Sequence, residues 1–155
     1  TNSTFMFRSK NFMIVLVAVL VLGAAGGYYA YSEYNRRNPE MADVKAAFSL
    51  SNTEVLQAFE TDLTKANQQY LEKVLEIGGP IKALEQDDKG FYTVVLGAEE
   101  SMSAVRCVID SLYTQQVATL KTGSMVRVRG LCVQYSADDM GLGSDLILNR
   151  CCLIK

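Results

Sequence analysis

The stretch KTGSMVRVRGLCVQY, residues 121–135, alternates aliphatic bulk and charge with a period of two: Val126 and Val128 to one side, Arg127 and Arg129 to the other, then Gly130. That alternation predicts a half-buried β-strand with its valines inward and its guanidinium groups toward water. In a small β-barrel such a strand is either part of a polynucleotide-reading surface or the wet side of a wall. The charges around it decide between the two.

The same period governs the rest of the chain from residue 71. KVLEIGGPIKAL puts Leu75, Ile77, Ile81 and Ala83 on one face, interrupted by Gly78, Gly79 and Pro80 as a bent or bulged strand would be. FYTVVLG, after the turn EQDDKG, is a second strand, and SAVRCVID a third with Val105, Cys107 and Ile109 on one side. SLYTQQVATLKTG predicts a short helix that ends at a glycine. SMVRVRGLCVQY and SDLILNRCCLIK follow as strands four and five, joined by the turn-rich SADDMGLG. Three strands, a helix and two strands is the layout of a five-stranded OB-fold barrel. A ferredoxin-like order would need a helix after the first strand, and EQDDKG is too short for one.

Ahead of the barrel, residues 11–32 carry no charged side chain. About 20 apolar residues rising ~1.5 Å each cross a hydrocarbon core of ~30 Å, so residues 11–34 are expected to form a transmembrane helix. A buried soluble helix would show a polar stripe, which is missing here. VLGAAGG also offers small residues of the kind a signal peptidase uses, but the expectation is a retained signal anchor. Tyr28, Tyr29, Tyr31 and Tyr34 gather where a membrane interface would lie. Gly23, Gly26 and Gly27 supply a smooth face for a neighbouring helix.

Between anchor and barrel, residues 35–70 are read as a linker with a break at Asn38-Pro39, followed by an amphipathic helical neck. Ser51 with Glu54 makes a capping box, and Leu50 with Val55 a hydrophobic staple. Val55, Leu56, Phe59, Leu63, Ala66 and Tyr70 recur at helical spacing. The expected organisation is thus a tail at 1–10, a membrane helix at 11–34, linker and neck at 35–70 and an OB domain at 71–155. The fold class is mainly β with helices.

AFETDLTKANQQYLEKVLEIGGPI, VRCVI, KTGSMVRVRGLC and LILNRC resemble the tRNA-anticodon-binding-like OB domains common in envelope proteins of Gram-negative bacteria. The resemblance covers roughly the last two-thirds of the chain and implies fold more than function. It implies many anchored or lipid-modified relatives without assigned chemistry, and tRNA binding only by analogy of fold.

Nucleic-acid capture needs several cations to displace counterions, with exposed aromatics on which bases stack. The two loops that rim the usual OB face carry Asp87, Asp88, Asp138 and Asp139, and the chain has no Trp. Residues 71–155 hold nine basic and eleven acidic side chains. Arg127 and Arg129 are therefore expected to be the solvated side of strand four, and no nucleic-acid partner is expected. The chain has no His, which removes Ser-His, Cys-His and His-metal arrangements. No catalytic residue, metal ligand or cofactor is expected, and the protein is not expected to be an enzyme. Cys107, Cys132, Cys151 and Cys152 fall on strands three, four and five. Cys132 with Cys151 is the favoured disulfide, with buried free thiols as the alternative. Zinc is disfavoured because adjacent Cys151 and Cys152 point to opposite faces and no CxxC is present.

Arg8 and Lys10 before the anchor and Arg36 and Arg37 after it leave the positive-inside rule tied. A short basic tail before the first apolar run, and the cysteines, favour a cytoplasmic amino terminus and a periplasmic barrel at the bacterial inner membrane. The expected function is a non-catalytic accessory or scaffolding subunit whose partners are membrane lipids and integral-membrane subunits. An envelope module binding a glycan, lipid or peptide is the alternative, with nucleic-acid binding behind both.

Overall fold

The computed structural model describes residues 10–35 and 40–154. Arg8, Arg36, Arg37 and the Asn38-Pro39 break lie outside the described residues. The chain forms two bodies, Thr1–Asn38 and Pro39–Lys155. In the first, helix α1 (Lys10–Tyr34) runs for 25 residues. Within its stretch Phe12–Tyr34 an 18-residue window has a mean hydropathy of 2.2 and no buried residue, long and apolar enough to cross a bilayer.

The second body is a closed barrel of five strands with one strand added: β1 (Phe48–Ser51), β2 (Val74–Gln86), β3 (Tyr92–Leu96), β4 (Ala104–Ile109), β5 (Met125–Ser136) and β6 (Asp145–Ile154). The order β1-β2-β3-β4-β6-β5 closes through β2 and β5, with β4 and β6 parallel. β2 serves both β5 and β3 because it bends. Val74 to Pro80 pair with β5, and Ile81 to Gln86 with β3. Gly79 sits at that bend against Asn52, whose Oδ1 would lie 2.5 Å from any Cβ placed there. Inward positions close the core: Leu75, Ile77, Val94, Leu96, Val105, Cys107, Val128, Leu146 and Leu148 are fully buried. A 3-10 turn (Ser111–Tyr113) and a short helix α4 (Thr114–Val117) join β4 to β5. Val117 from α4 enters the same core.

Residues 40–70, expected as linker and helical neck, fall in the same unit as the barrel. Helices α2 (Asn52–Thr61) and α3 (Leu63–Tyr70) bury Val55, Leu56, Phe59, Ala66 and Tyr70 in the barrel core. Phe59 stacks on Tyr135 of β5 at 4.6 Å between centroids. The predicted capping box is present, with Ser51 Oγ accepting from Glu54 N at 3.2 Å and Ser51 N donating to Glu54 Oε2 at 2.7 Å. Asp62 ends α2 and caps α3. Ahead of them β1 pairs in parallel with the first half of β2. Helices of ten and eight residues are marginal in water alone, so their amphipathic faces find the barrel.

A charged clamp ties these parts together. Glu76 on β2 faces Arg129 of β5 directly, with Arg127 facing Gly78 two positions along. Glu76 Oε1 accepts from Arg127 Nη1 at 3.0 Å and Oε2 from Arg129 Nη2 at 2.9 Å. Arg129 Nη1 also donates to the carbonyls of Ala42 and Val44, at 2.9 and 3.0 Å. Residues 40–47 are thereby strapped across the outside of the barrel, with Glu40 accepting from the Tyr113 hydroxyl at 3.1 Å and Ala47 N donating to Val74 O. The valine-in, arginine-out alternation holds, but the outer side is not merely wet. Arg127 is 58% exposed and Arg129 only 17%.

All four cysteines are free and buried. Cys132 and Cys151, the expected pair, are free thiols in this structure, and Cys151 lies close to Cys107. The β4–β6 register slips between Cys107 and Ile109, which sets Cys151 opposite Ile109 on the face that Cys107 also occupies. Arg150, with φ of 54°, marks the irregularity. Cys152 points to the other face, opposite Arg129. Burial pushes the Cys132 thiol up to about 11 and raises Cys151 and Cys152. Thiols held protonated in this way are packing groups, not nucleophiles. Gly130, which closes the VRVRG run, is required by the same irregularity: a Cβ there would stand 2.3 Å from Cys151 Sγ.

Hydrogen bonding from Arg129 holds the Glu76 carboxyl below its ordinary value. A carboxylate lowered in the folded state contributes stability above its unfolded pKa and loses it as pH falls through the folded one. Glu76→Gln is expected to cost about 2 kcal/mol at pH 7, as loss of charge-assisted hydrogen bonds does, with the deficit shrinking toward pH 3. Urea midpoints of parent and variant across that range measure it, and a gap independent of pH would remove the ion pair from the account. Gly130→Ala is expected to destabilise by about 1 to 3 kcal/mol through overpacking, and Cys151→Ala in the same chain to recover most of that loss. Simple additivity of the two substitutions in denaturant unfolding would show that the two sites do not collide.

Candidate functional site

OB barrels bind ligands mainly on the outward face of the second and third barrel strands, here β3 and β4, between the loops that follow the first and fourth. Thr93 pairs with Val108 and Val95 with Arg106 across this face. Arg106 stands at its centre and is already occupied. Its Nη1 and Nη2 donate to Glu85 at 3.0–3.2 Å, and its Nε lies 3.3 Å from Asp145 Oδ2. One cation between two carboxylates leaves the patch negative. Lys82 is likewise turned aside, its Nζ donating to Ser101 O.

The rims add to this. In loop 87–91, Asp87 Oδ1 accepts from the backbone N–H groups of Lys89 and Phe91, at 2.9 and 2.8 Å. In loop 137–144, Asp138 accepts from Met140 N at 2.8 Å and Leu142 N at 2.6 Å. These two aspartates fold their own loops, as Asx turns do. Asp88 and Asp139 stay exposed, and loop 97–103 adds exposed Glu99 and Glu100. That loop meets loop 137–144 where Gly143, at φ of 102°, lies against Met102 O with no room for a Cβ. Of the two aromatics expected here, Phe91 is 42% exposed, whereas Tyr92 packs against the core. The face therefore lacks both a cationic track and a stacking platform.

A different surface is concave and apolar. Leu120, Met125, Val126, Leu153 and Ile154 line a groove of about 700 Å³ beside α4, with Arg127 at its edge and Gly78 in its lining. Met125 is 74% exposed. Sequence patterning does not reveal this groove, because its walls come from three elements that only barrel closure brings together. The one local signal was an apolar residue, Met125, at the outward start of strand four.

Tyr28, Tyr29, Tyr31 and Tyr34 on α1 are 69–89% exposed. At ~100° per residue they form a collar rather than a stripe. Gly23, Gly26 and Gly27 share one side, and no atom of the chain lies within 4 Å of where their Cβ atoms would be. Among the described residues no group of three or more His, Cys, Asp or Glu side chains is placed to hold a metal ion.

The chain is similar in fold to a candidate nucleic acid-binding lipoprotein from Klebsiella pneumoniae, with TM-score 0.53 and 18% identity over 68% of this chain and 91% of that one. An aspartyl-tRNA synthetase from Entamoeba histolytica matches at TM-score 0.44 and 11% identity, over 78% of this chain and 24% of that one. A chain of the S. pombe Stn1-Ten1 complex matches at TM-score 0.36 and 17% identity, over 53% and 58%. No curated protein sequence matches. The tRNA_anti-like family model matches residues 6–152, which takes in the apolar helix and all six strands, and the chain belongs to that family of OB-fold binding modules.

Proposed function

We propose that this protein is a membrane-tethered, non-catalytic accessory subunit of an envelope complex, with α1 as its anchor and the barrel on the periplasmic side. The observation that carries the reading is the neutralised β3–β4 face, where Glu85 and Asp145 occupy Arg106. Polynucleotide binding on an OB barrel scales with the cations free to displace counterions, and this face offers none at its centre. The absence of His and the raised thiols support a binding role over catalysis. In this reading the Tyr28–Tyr34 collar sits at the lipid headgroups and the Gly23, Gly26 and Gly27 side receives a partner helix.

The full chain, tagged and extracted from its native membrane in mild detergent, is expected to carry integral-membrane proteins with it, identified by mass spectrometry. Substituting Gly23, Gly26 and Gly27 by Leu is expected to release them. Migration of the parent as a single species would sink the subunit reading. In the same preparation, anisotropy of a labelled single-stranded RNA is expected to show no binding that weakens with salt. Salt-sensitive binding would return the barrel to the polynucleotide class.

A further inference from the structure

We infer that the groove beside α4 is a binding site for a single-chain anionic amphiphile of the fatty-acid type, with its acyl chain along Leu120, Met125, Val126, Leu153 and Ile154 and its carboxylate on Arg127. This does not depend on the accessory-subunit reading. The volume, about 700 Å³, is that of a ligand pocket, and apolar walls with a few polar groups, here Gln116, Thr119 and Arg127, are the usual composition.

Charge selects the head. Among the described residues Arg127 and Arg129 share the single carboxylate of Glu76 as their ion-pair partner, so their cluster carries a surplus positive charge. The surplus resides on Arg127. Arg129 is engaged by two backbone carbonyls as well and is 17% exposed, while Arg127 gives only Nη1 to Glu76 and remains 58% exposed. A guanidinium 58% exposed is available to a second carboxylate, in the fork geometry that such groups favour. The Arg106 cluster has the reverse ratio, one cation to two carboxylates, and repels the same head group.

The lining selects the tail: an acyl chain gains from burial of its methylenes against Leu120, Met125, Val126, Leu153 and Ile154.

The test uses the full chain in phosphatidylcholine nanodiscs with 13C-methyl methionine. Met125 reports the groove, and Met102 and Met140, 63% and 86% exposed on loops 97–103 and 137–144, report unspecific partitioning. Sodium laurate is expected to shift the Met125 methyl saturably while those of Met102 and Met140 stay in place. Arg127→Gln should weaken laurate about tenfold. Dodecanol should bind more weakly than laurate and be indifferent to that substitution. Gln116→Trp, on the rim and away from the clamp, should block the shift without disturbing the fold. An unmoved Met125, a common shift of all three methyls, or laurate affinity unaltered by Arg127→Gln each overturns the assignment. So does tighter occupancy of the groove by an apolar peptide than by laurate.

Discussion

Glu76 is one carboxylate on a barrel strand, yet three structural requirements meet on it. It sits on the half of β2 that pairs with β5, so its bonds to Arg127 and Arg129 fasten the seam that closes the barrel. Arg129 passes the attachment on to Ala42 and Val44, which fixes the strap and through it the start of β1. Removing one member of a buried pair strands the other, which is more costly than never having had the pair. Because the clamp is built of two cations and one anion, it also leaves a charge unspent at the surface. Closure, strap and surface charge are thus consequences of one arrangement.

The two arginine clusters show how stoichiometry separates surfaces with similar composition. Around Arg106 the ratio of guanidinium to carboxylate is one to two, around Glu76 two to one. Both lie on the outside of the same small barrel, and both would count equally in a tally of charged residues. A phosphate chain approaching β3–β4 meets net negative charge flanked by Asp88, Asp139, Glu99 and Glu100. Net composition predicted that outcome in sign. It could not predict that the opposite polarity survives beside α4, because that depends on which carboxylate each guanidinium reaches.

The barrel was legible because its strands obey period two: Val105, Cys107 and Ile109, or Val126 and Val128, point inward as their spacing requires. The Ser51–Glu54 capping box was legible because it is a local motif. Residues 40–51 were not legible. They contain no periodic run, and the strap is held by carbonyl oxygens, which every residue possesses and no sequence pattern displays. The helices after them were seen as helices, but their apolar stripe does not say what it packs against. The proximity of Cys151 to Cys107 was hidden for a different reason. Strand order brought Cys107, Cys132 and Cys151 near one another, and a register slip with a positive-φ residue then turned Cys151 toward Cys107.

The residues quoted at the outset, VRVRG, answer both sides of their question at once. Val128 is core, Arg129 is structure, and Gly130 makes room for a thiol. Only Arg127 retains solvent-facing donors, and it stands at the edge of the apolar groove. A strand that had to close a barrel would need one arginine opposite Glu76. The second, opposite Gly78, leaves a cation over a position with no side chain to cover it. Gly78 also lines the groove, so the charged residue and a glycine of the cavity wall are cross-strand partners. That pairing places a directional head-group contact beside an apolar tail site, an arrangement closure of the barrel does not itself require.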